Sequence, residues 1–567
     1  MITQQKSIEL ETTSIVEPNF EWFSKAKIYQ VFTDRFTGYK QNYTEEELKK
    51  GLIYGNLKAL INKLDYIKSL NFNMIWISPF FVNQPNGYHG YHPVNHNHVD
   101  PRFAYGQAII DPEQGNLNNE NDLDLKTGAD LILQDLINEV HKRDMKIMMD
   151  MVPNHVHSSM PYYEQSHRDI NNKYHLWFCF KDHKKEEIEK KKFNEEKIIR
   201  KTKRKQESKI RKKSEKELRK KYLEEGNFDE IAKLDKEKKA NKAKIYEESK
   251  KKYLEDHPNK TETDFVELYL KNESKHAEKK QLKKAAKLAK QKEGNELNKN
   301  DEESSDSSDY SSGMEFEEAP CNFMHFLGFD ELIKLNLDYE PCGDYMVKVT
   351  KKWVKMGFDA VRIDHCTGPS MNFLKKLTDE VHKDFPKVPI IGECLPFGCA
   401  EWSETLLSCK KEQLEKVLSQ SYDSLVCLDE MFMEYIGNLD GLIDFVYQGY
   451  LNNLCEGKIT EDAFENLLKI HYDKYQDKKF ILMRVFDSHD CERGLFKCGQ
   501  NRTKFQHMLD KLFKGFRGRN DPFVMYYGTE DYMTQLADNN SQSYGDWACR
   551  QPMQFNYEFM RQLMGNE

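Results

Sequence analysis

The stretch GFDAVRIDHCTGP, residues 357–369, decides how the rest of the chain is read. Phe358, Ala360, Val361 and Ile363 make it a buried strand, yet it carries Arg362 and ends on Asp364 and His365. Side chains alternate along a strand, so Ala360, Arg362 and Asp364 share one face while Val361, Ile363 and His365 share the other. A charged pair on an apolar strand is costly unless the groups pair or work together. Two readings follow: a structural Arg–Asp pair at a strand end, or the edge of an active site. The segments on either side have to separate them.

Working outward, short apolar runs alternate with helical patterns. The strand-like runs end near residues 32, 81, 152, 364, 393, 428, 486 and 528, the sixth being DSLVCL (423–428). Between them LKALINKLDYIKSL (57–70), LILQDLINEVHKRD (131–144), YMVKVTKKWVKMG (345–357) and MNFLKKLTDEVHKDF (371–385) have helical spacing. Continuous apolar strands alternating with helices indicate parallel β/α units buried on both faces. Eight units point to an α/β fold of the (β/α)8 TIM-barrel type, which typically takes about 250 residues before insertions. A doubly wound open sheet fits the same alternation, but no glycine-rich phosphate loop follows the first strand.

Bulk numbers show what else the 567 residues hold. The hydrophobic fraction is 38%, charged residues reach 32%, and the net charge is −8. Residues 184–300 contain 39 Lys+Arg against 25 Asp+Glu, a net of +14, which leaves −22 on the remainder. An acidic bulk argues against nucleic acid as the main partner, and the basic segment lacks the interleaved aromatics of a single-strand binder. That segment is rich in helix formers with i,i+4 charge pairs, and reads as a solvated, partly helical excursion. A docking arm for a protein partner is the alternative. DEESSDSSDYSSGMEFEE (301–318) is acidic and serine-rich, a composition that disfavours a packed core. The 12 cysteines show no CxxC pair, so they read as free thiols of a reducing compartment. No basic-then-apolar signal opens the chain and no apolar stretch reaches membrane-spanning length, so a cytoplasmic protein is expected, with no membrane partner.

In a parallel barrel the strand ends carry the reacting groups. Here they hold Asp150, Asn154 and His155 in DMVPNH, Arg362 and Asp364 in AVRIDH, Glu393 in IIGECL, and His489 and Asp490 in FDSHD. Three carboxylates converging with an arginine and two imidazoles are expensive to assemble for stability alone. They suit attack on an acetal, one carboxylate acting as nucleophile and a second as proton donor.

These residues carry a resemblance to the α-amylase family, glycoside hydrolase family thirteen. It rests on ordered motifs: IYQVFTDRF, GYHGYHPVNHNHVDPRF, DMVPNH, GFDAVRIDH, GE, FDSHD and YYGTE, with IKLNLDYEP before the fourth-strand helix. They span about 20–183 and 319–567, nearly all of the chain except the lysine-rich insert. The resemblance implies a retaining hydrolase of α-linked glucans (starch, glycogen or maltooligosaccharides). A glucanotransferase of the same family and a non-catalytic glucan-binding scaffold are the competing readings. It implies Asp364 as nucleophile, Glu393 as general acid/base and Asp490 as the third carboxylate, with Arg362 positioning Asp364. Tyr91 would stack beneath the sugar with His89 nearby, and His155 and His489 would bind its hydroxyls. From local sequence alone, Tyr91 equally suits a packed barrel rim, His155 a capping or core position, and Asp150 a structural acid under the site.

The implied organisation is an N-terminal extension (1–19) and barrel strands one to three (20–155). An inserted second domain (156–330) follows, expanded by the charged low-complexity segment 184–300 and by 301–318. Strands four to eight occupy 331–567, without the family's usual C-terminal β-sandwich. Departures from the family pattern bear on calcium: Thr367 and Gly368 stand where many relatives have Lys-His, and DRFTGYKQN lacks an acidic loop. Asn154 is the single candidate Ca2+ ligand, and one asparagine is not an oxygen cage. No cofactor is required by this reading.

Overall fold

In the computed structural model of the chain, the described residues are 20–37, 51–84, 87–106, 126–256, 262, 266, 322–395, 406–418, 423–535, 548–553 and 555. The extension 1–19 and the acidic serine-rich segment 301–318 lie outside them. Twelve strands are described, β1 Lys27–Val31, β2 Met74–Ile77, β3 Phe81–Asn83, β4 Pro93–Val99, β5 Lys146–Met151, β6 His155–His157, β7 Leu332–Lys334, β8 Ala360–Ile363, β9 Ile390–Gly392, β10 Gly441–Asp444, β11 Ile481–Arg484 and β12 Phe523–Tyr526. Eight of them close into a barrel in the order β1-β12-β11-β10-β9-β8-β5-β2, every pair parallel. Every residue of β2, β8, β9, β10 and β11 is buried, as parallel strands covered on both faces require, although β8, β10 and β11 also bury Arg362, Asp444 and Arg484. β3 with β4, and β6 with β7, form two small antiparallel ladders.

Two expected strands are placed differently. DSLVCL is not the sixth strand but the start of a helix, Asp423–Met433, and the barrel strand is the next run, β10. The run resembles a strand over six residues, but its apolar positions continue at helical spacing. Leu428, Met431, Phe432 and Tyr435 are buried while Val426 is 40% exposed. NMIWISPFF is not one strand either: it divides at Ser78–Pro79 into β2 and β3, since proline has no N–H for a central ladder.

The chain divides into two units, one made of residues 1–166, 172–181 and 322–567 and containing the barrel, the other of 167–171 and 182–321. The second unit holds two long helices, His183–Glu224 and Phe228–Asp256. Asp182 caps the first by accepting from the Lys184 and Lys185 amides. Pairs such as the half-buried Arg219–Glu215 and the exposed Lys220–Glu224 follow the i,i+4 spacing seen in the sequence. Among the described residues no helix is long and apolar enough to cross a membrane.

Behind β10 a buried histidine sits between two carboxylates. His471, on the helix Glu461–Asp473, places Nδ1 2.8 Å from Asp429 Oδ1 and Nε2 3.1 Å from Asp444 Oδ2. Burial alone would lower its pKa, but Asp444 and Asp429 outweigh it and raise it to about 9. A folded pKa above the unfolded value near 6.5 means the stabilisation is complete below about 6.5 and disappears as pH climbs through about 9. The expected size is on the order of 3 kcal/mol. Urea unfolding at about pH 6 and about pH 9 measures it, and His471→Gln flattens the difference. Equal slopes in the two proteins would remove this histidine from the account.

Candidate active site

Arg362 is the centre of the site. It is fully buried on β8, opposite Asp150 of β5 in the ladder. Its Nη1 donates to Asp150 Oδ1 at 2.5 Å and to Asp364 Oδ1 at 2.9 Å, and its Nη2 pairs with Glu393 Oε1 at 2.5 Å. One guanidinium therefore faces three carboxylates. Asp364 lies just past β8 and Glu393 just past β9, so both stand at the same end of the barrel. Glu393 Oε2 also accepts the His365 amide at 3.1 Å. Gly392, before it, is required: a Cβ there would meet Leu439, Cys366 and Leu442 within 2.8 Å.

The electrostatics follow from this count. Burial raises Asp364 to about 7, with Arg362 pulling it back and Asp150 and Asp490 pushing it up. Burial likewise raises Asp150 to about 6, and raises Glu393 against the pull of Arg362. Interacting this closely, the three hold protons as a group, and the group keeps a proton close to neutral pH. Asp490 goes the other way. Burial works to raise it, but His489 and Arg550 lie against it and the result is well below the usual range. The arrangement thus sets a permanently charged carboxylate beside a set that retains a proton.

A hydrogen-bonded floor joins them. Gln30 of β1 places Nε2 2.8 Å from His489 Nδ1, which leaves the ring proton on Nε2. That nitrogen lies 2.6 Å from the Tyr91 hydroxyl and 2.8 Å from Asp490 Oδ2. The Tyr91 hydroxyl donates to Asp150 Oδ2 at 2.8 Å, where Trp76 Nε1 of β2 also donates at 3.1 Å. Arg550 holds the far side: Nη2 reaches Asp490 Oδ1 at 2.7 Å and Nε the His489 carbonyl at 2.8 Å.

The sequence named Arg362, Asp364, Glu393, His489, Asp490 and Tyr91, and the structure brings all six together. His89 is beside them, its Nδ1 accepting the Tyr91 amide at 3.0 Å. His155 is only 2% exposed: its Nε2 points at the Tyr91 carbonyl at 3.0 Å, and Phe326 covers the ring at 4.1 Å. Trp76, Gln30 and Arg550 escaped the sequence reading. For Gln30 the signal was present, a polar residue inside the apolar IYQVF, the same oddity that Arg362 shows in AVRID.

Asn154 does not fit as a calcium ligand. Its Oδ1 receives the Lys334 ammonium at 2.6 Å, and the same ammonium reaches the Gly368 carbonyl at 2.8 Å. Lys334, on β7, is 1% exposed, and burial lowers it only to about 8, so it stays largely charged at neutral pH. A Cβ on Gly368 would lie 2.2 Å from Asn154 Oδ1, so glycine is what lets these groups approach. No group of three or more His, Cys, Asp or Glu side chains among the described residues is arranged to hold a metal. Because the Asn154 oxygen already holds the Lys334 ammonium, calcium is not expected to bind at this asparagine. Lys334→Met, which strips the donor from a buried acceptor, costs about 1–3 kcal/mol. Thermal melts with and without added calcium check both; stabilisation of the unmutated chain by calcium would contradict them.

Comparison with known proteins adds the following. The family model described as alpha amylase, catalytic domain, matches residues 30–109 and 117–281. Asp364, Glu393 and Asp490 lie beyond that match. Alpha-amylase 2 of Dictyoglomus thermophilum is 31% identical over 166 residues, 29% of this chain and 25% of that protein. An oligo-1,6-glucosidase of Bacillus sp. (strain F5) is 30% identical over 164 residues, 29% and 25% of the two chains. The alignments thus span about a quarter of these relatives' length. Among solved structures, a cyclic alpha-maltosyl-(1→6)-maltose hydrolase from Arthrobacter globiformis superposes with a TM-score of 0.53 at 14% identity, covering 97% of this chain and 82% of that one. An alpha-amylase from Geobacillus thermoleovorans gives 0.51 at 18% identity, covering 95% and 77%. At these identities the likeness is one of fold.

Proposed function

We propose that the chain is a catalytic barrel of the alpha-amylase family that cleaves α-linked glucans by a retaining double displacement. The observation that supports this most is the sharing of one guanidinium by Asp364 and Glu393. Held on the two arms of Arg362, the carboxyls are kept close, as direct attack requires. A wider gap of about 6.5–9.5 Å is the one that admits a water between them.

In this reading Asp364 attacks the anomeric carbon. Its Oδ1 is fixed by Arg362, which leaves Oδ2 to form the bond. Glu393, whose pKa burial raises, gives its proton to the departing oxygen and then takes one from the water that releases the sugar. Asp490, kept ionised, binds sugar hydroxyls and steadies the positive transition state. Tyr91 offers the sugar a face, with His89 beside it, and His489 lines the hydroxyls, while His155, bound to the Tyr91 carbonyl and covered by Phe326, holds the Tyr91 segment in place rather than touching the sugar. Starch, glycogen and maltooligosaccharides are the substrates that the family relationship favours.

The proton-donor role makes a separate prediction. Glu393→Gln loses far more turnover on a natural glucan than on an activated aryl or fluoride glucoside, whose leaving group needs no proton. Parallel kcat/KM measurements check it, and equal losses on both substrates count against the role.

The general test is chromatography of products from soluble starch, maltoheptaose, panose, trehalose and sucrose. Short α-maltooligosaccharides released by the unmutated chain but not by Asp364→Asn are the expected result. Products longer than the donor would move the activity to glucan transfer, and silence on all five would overturn the reading.

A further inference from the structure

Two sulfurs outside the site lie in direct contact. Cys455 is the last residue of the helix Phe445–Cys455, which follows β10. Cys498 ends the short helix Gly494–Lys497, in the loop after β11. Their Sγ atoms are 3.2 Å apart, and the residues are 0% and 3% exposed. The surroundings favour a thiolate. The Cys498 thiol, against the opposing effect of burial and with help from Lys504 and Lys497, brings Cys455 down to about 7. The short helix is also anchored to the start of the loop after β11, Lys497 Nζ donating to the Phe486 carbonyl at 3.0 Å, and Gly494 N to Asp487 Oδ2 at 2.9 Å. The loop that starts there continues through His489 and Asp490.

We propose that Cys455 and Cys498 are an oxidisable pair that closes to a disulfide and ties the helix after β10 to the loop carrying His489 and Asp490. The oxidant is a peroxide, small enough to reach a covered pair when the short helix opens locally. The Cys455 thiolate attacks one peroxide oxygen, the O–O bond breaks, and hydroxide leaves to become water with the proton that Cys455 gave up. Cys498 Sγ then attacks the resulting sulfenic sulfur, forming S–S and breaking S–O. The second hydroxide leaves as water with the Cys498 proton. Two thiols are oxidised and one peroxide is reduced to two waters.

The test is peptide mapping of the full chain after hydrogen peroxide treatment and alkylation. The expected result is a peptide pair joined through Cys455 and Cys498, absent from Cys455→Ser and from Cys498→Ser. With it comes a rise of several degrees in melting temperature that dithiothreitol reverses. Recovery of both thiols fully alkylated, or a link through Cys366 and Cys394 instead, overturns the pair; these too are neighbours. Control of the loop rests on the proposed function: oxidation should slow glucan turnover severalfold in the unmutated chain and not in Cys498→Ser. An unchanged rate in the linked protein overturns that control. Because peptide mapping needs no turnover, failure of the pair and failure of the glucan reading are told apart.

Discussion

Asp364→Asn is expected to keep the barrel folded and to lower turnover by about four orders of magnitude. The amide is nearly the same size, and its oxygen can still accept from Arg362. What it cannot do is attack an acetal carbon, so the covalent route closes. Stability should not suffer. Asp364 is a buried carboxylate whose pKa is raised to about 7 beside Asp150 and Asp490. Replacing it with a neutral group relieves crowding among like charges, so the melting temperature should hold or rise. Steady-state rates and a thermal melt on the same preparation check the two halves. Turnover within tenfold of the unmutated chain would remove Asp364 from the role.

Arg362→Met should produce the opposite pattern, a loss of stability of about 3–5 kcal/mol, because it leaves charges buried without their partner. Asp150, Asp364 and Glu393 all pair with this guanidinium, and it is fully buried. Without it their folded pKa values rise further above the unfolded ones. The ionised forms then oppose folding, and the defect is worst at neutral and alkaline pH. It eases as pH falls and the carboxyls take up protons. Urea unfolding at about pH 7 and about pH 5 measures this, the gap to the unmutated chain narrowing in acid. A gap that is constant, or that widens in acid, would mean that lost packing rather than unpaired charge dominates.

The site was legible because of a local oddity: charged side chains in strands otherwise too apolar to carry them. Arg362 and Asp364 in GFDAVRIDH, Glu393 after IIG and Asp490 in FDSHD each broke an apolar run at its end, and strand alternation put the first two on one face. Partners supplied from far along the chain were not legible. Arg550 reaches Asp490 across 60 residues and Lys334 reaches Asn154 across 180. A lysine in LIKLNL reads as a surface residue until the second acceptor, the Gly368 carbonyl, is known. Phe326 over His155 is another such contact, made from a 3-10 turn, Phe326–Gly328.

The fold was legible to the extent that each strand was a bounded apolar run. It failed at DSLVCL, where six residues fit both periods and only the continuing spacing to Met431 and Phe432 separates helix from strand. It also missed β10, whose four residues GLID end on a buried aspartate that bonds His471. The lysine-rich segment is helical over His183–Glu224 and Phe228–Asp256, in keeping with its local composition and i,i+4 charges, while most of 257–300 lies outside the described residues. What it does was not written in those properties.

The most direct measurement is trapping of the covalent intermediate. The full chain is incubated with a 5-fluoro-α-glucosyl fluoride, whose second step is slow, and the labelled peptide is identified by mass spectrometry. The account predicts one added fluoroglucosyl group on the peptide containing Asp364, absent in Asp364→Asn. A label on another carboxylate, or turnover of an α-glucan with inversion at the anomeric carbon, would contradict it.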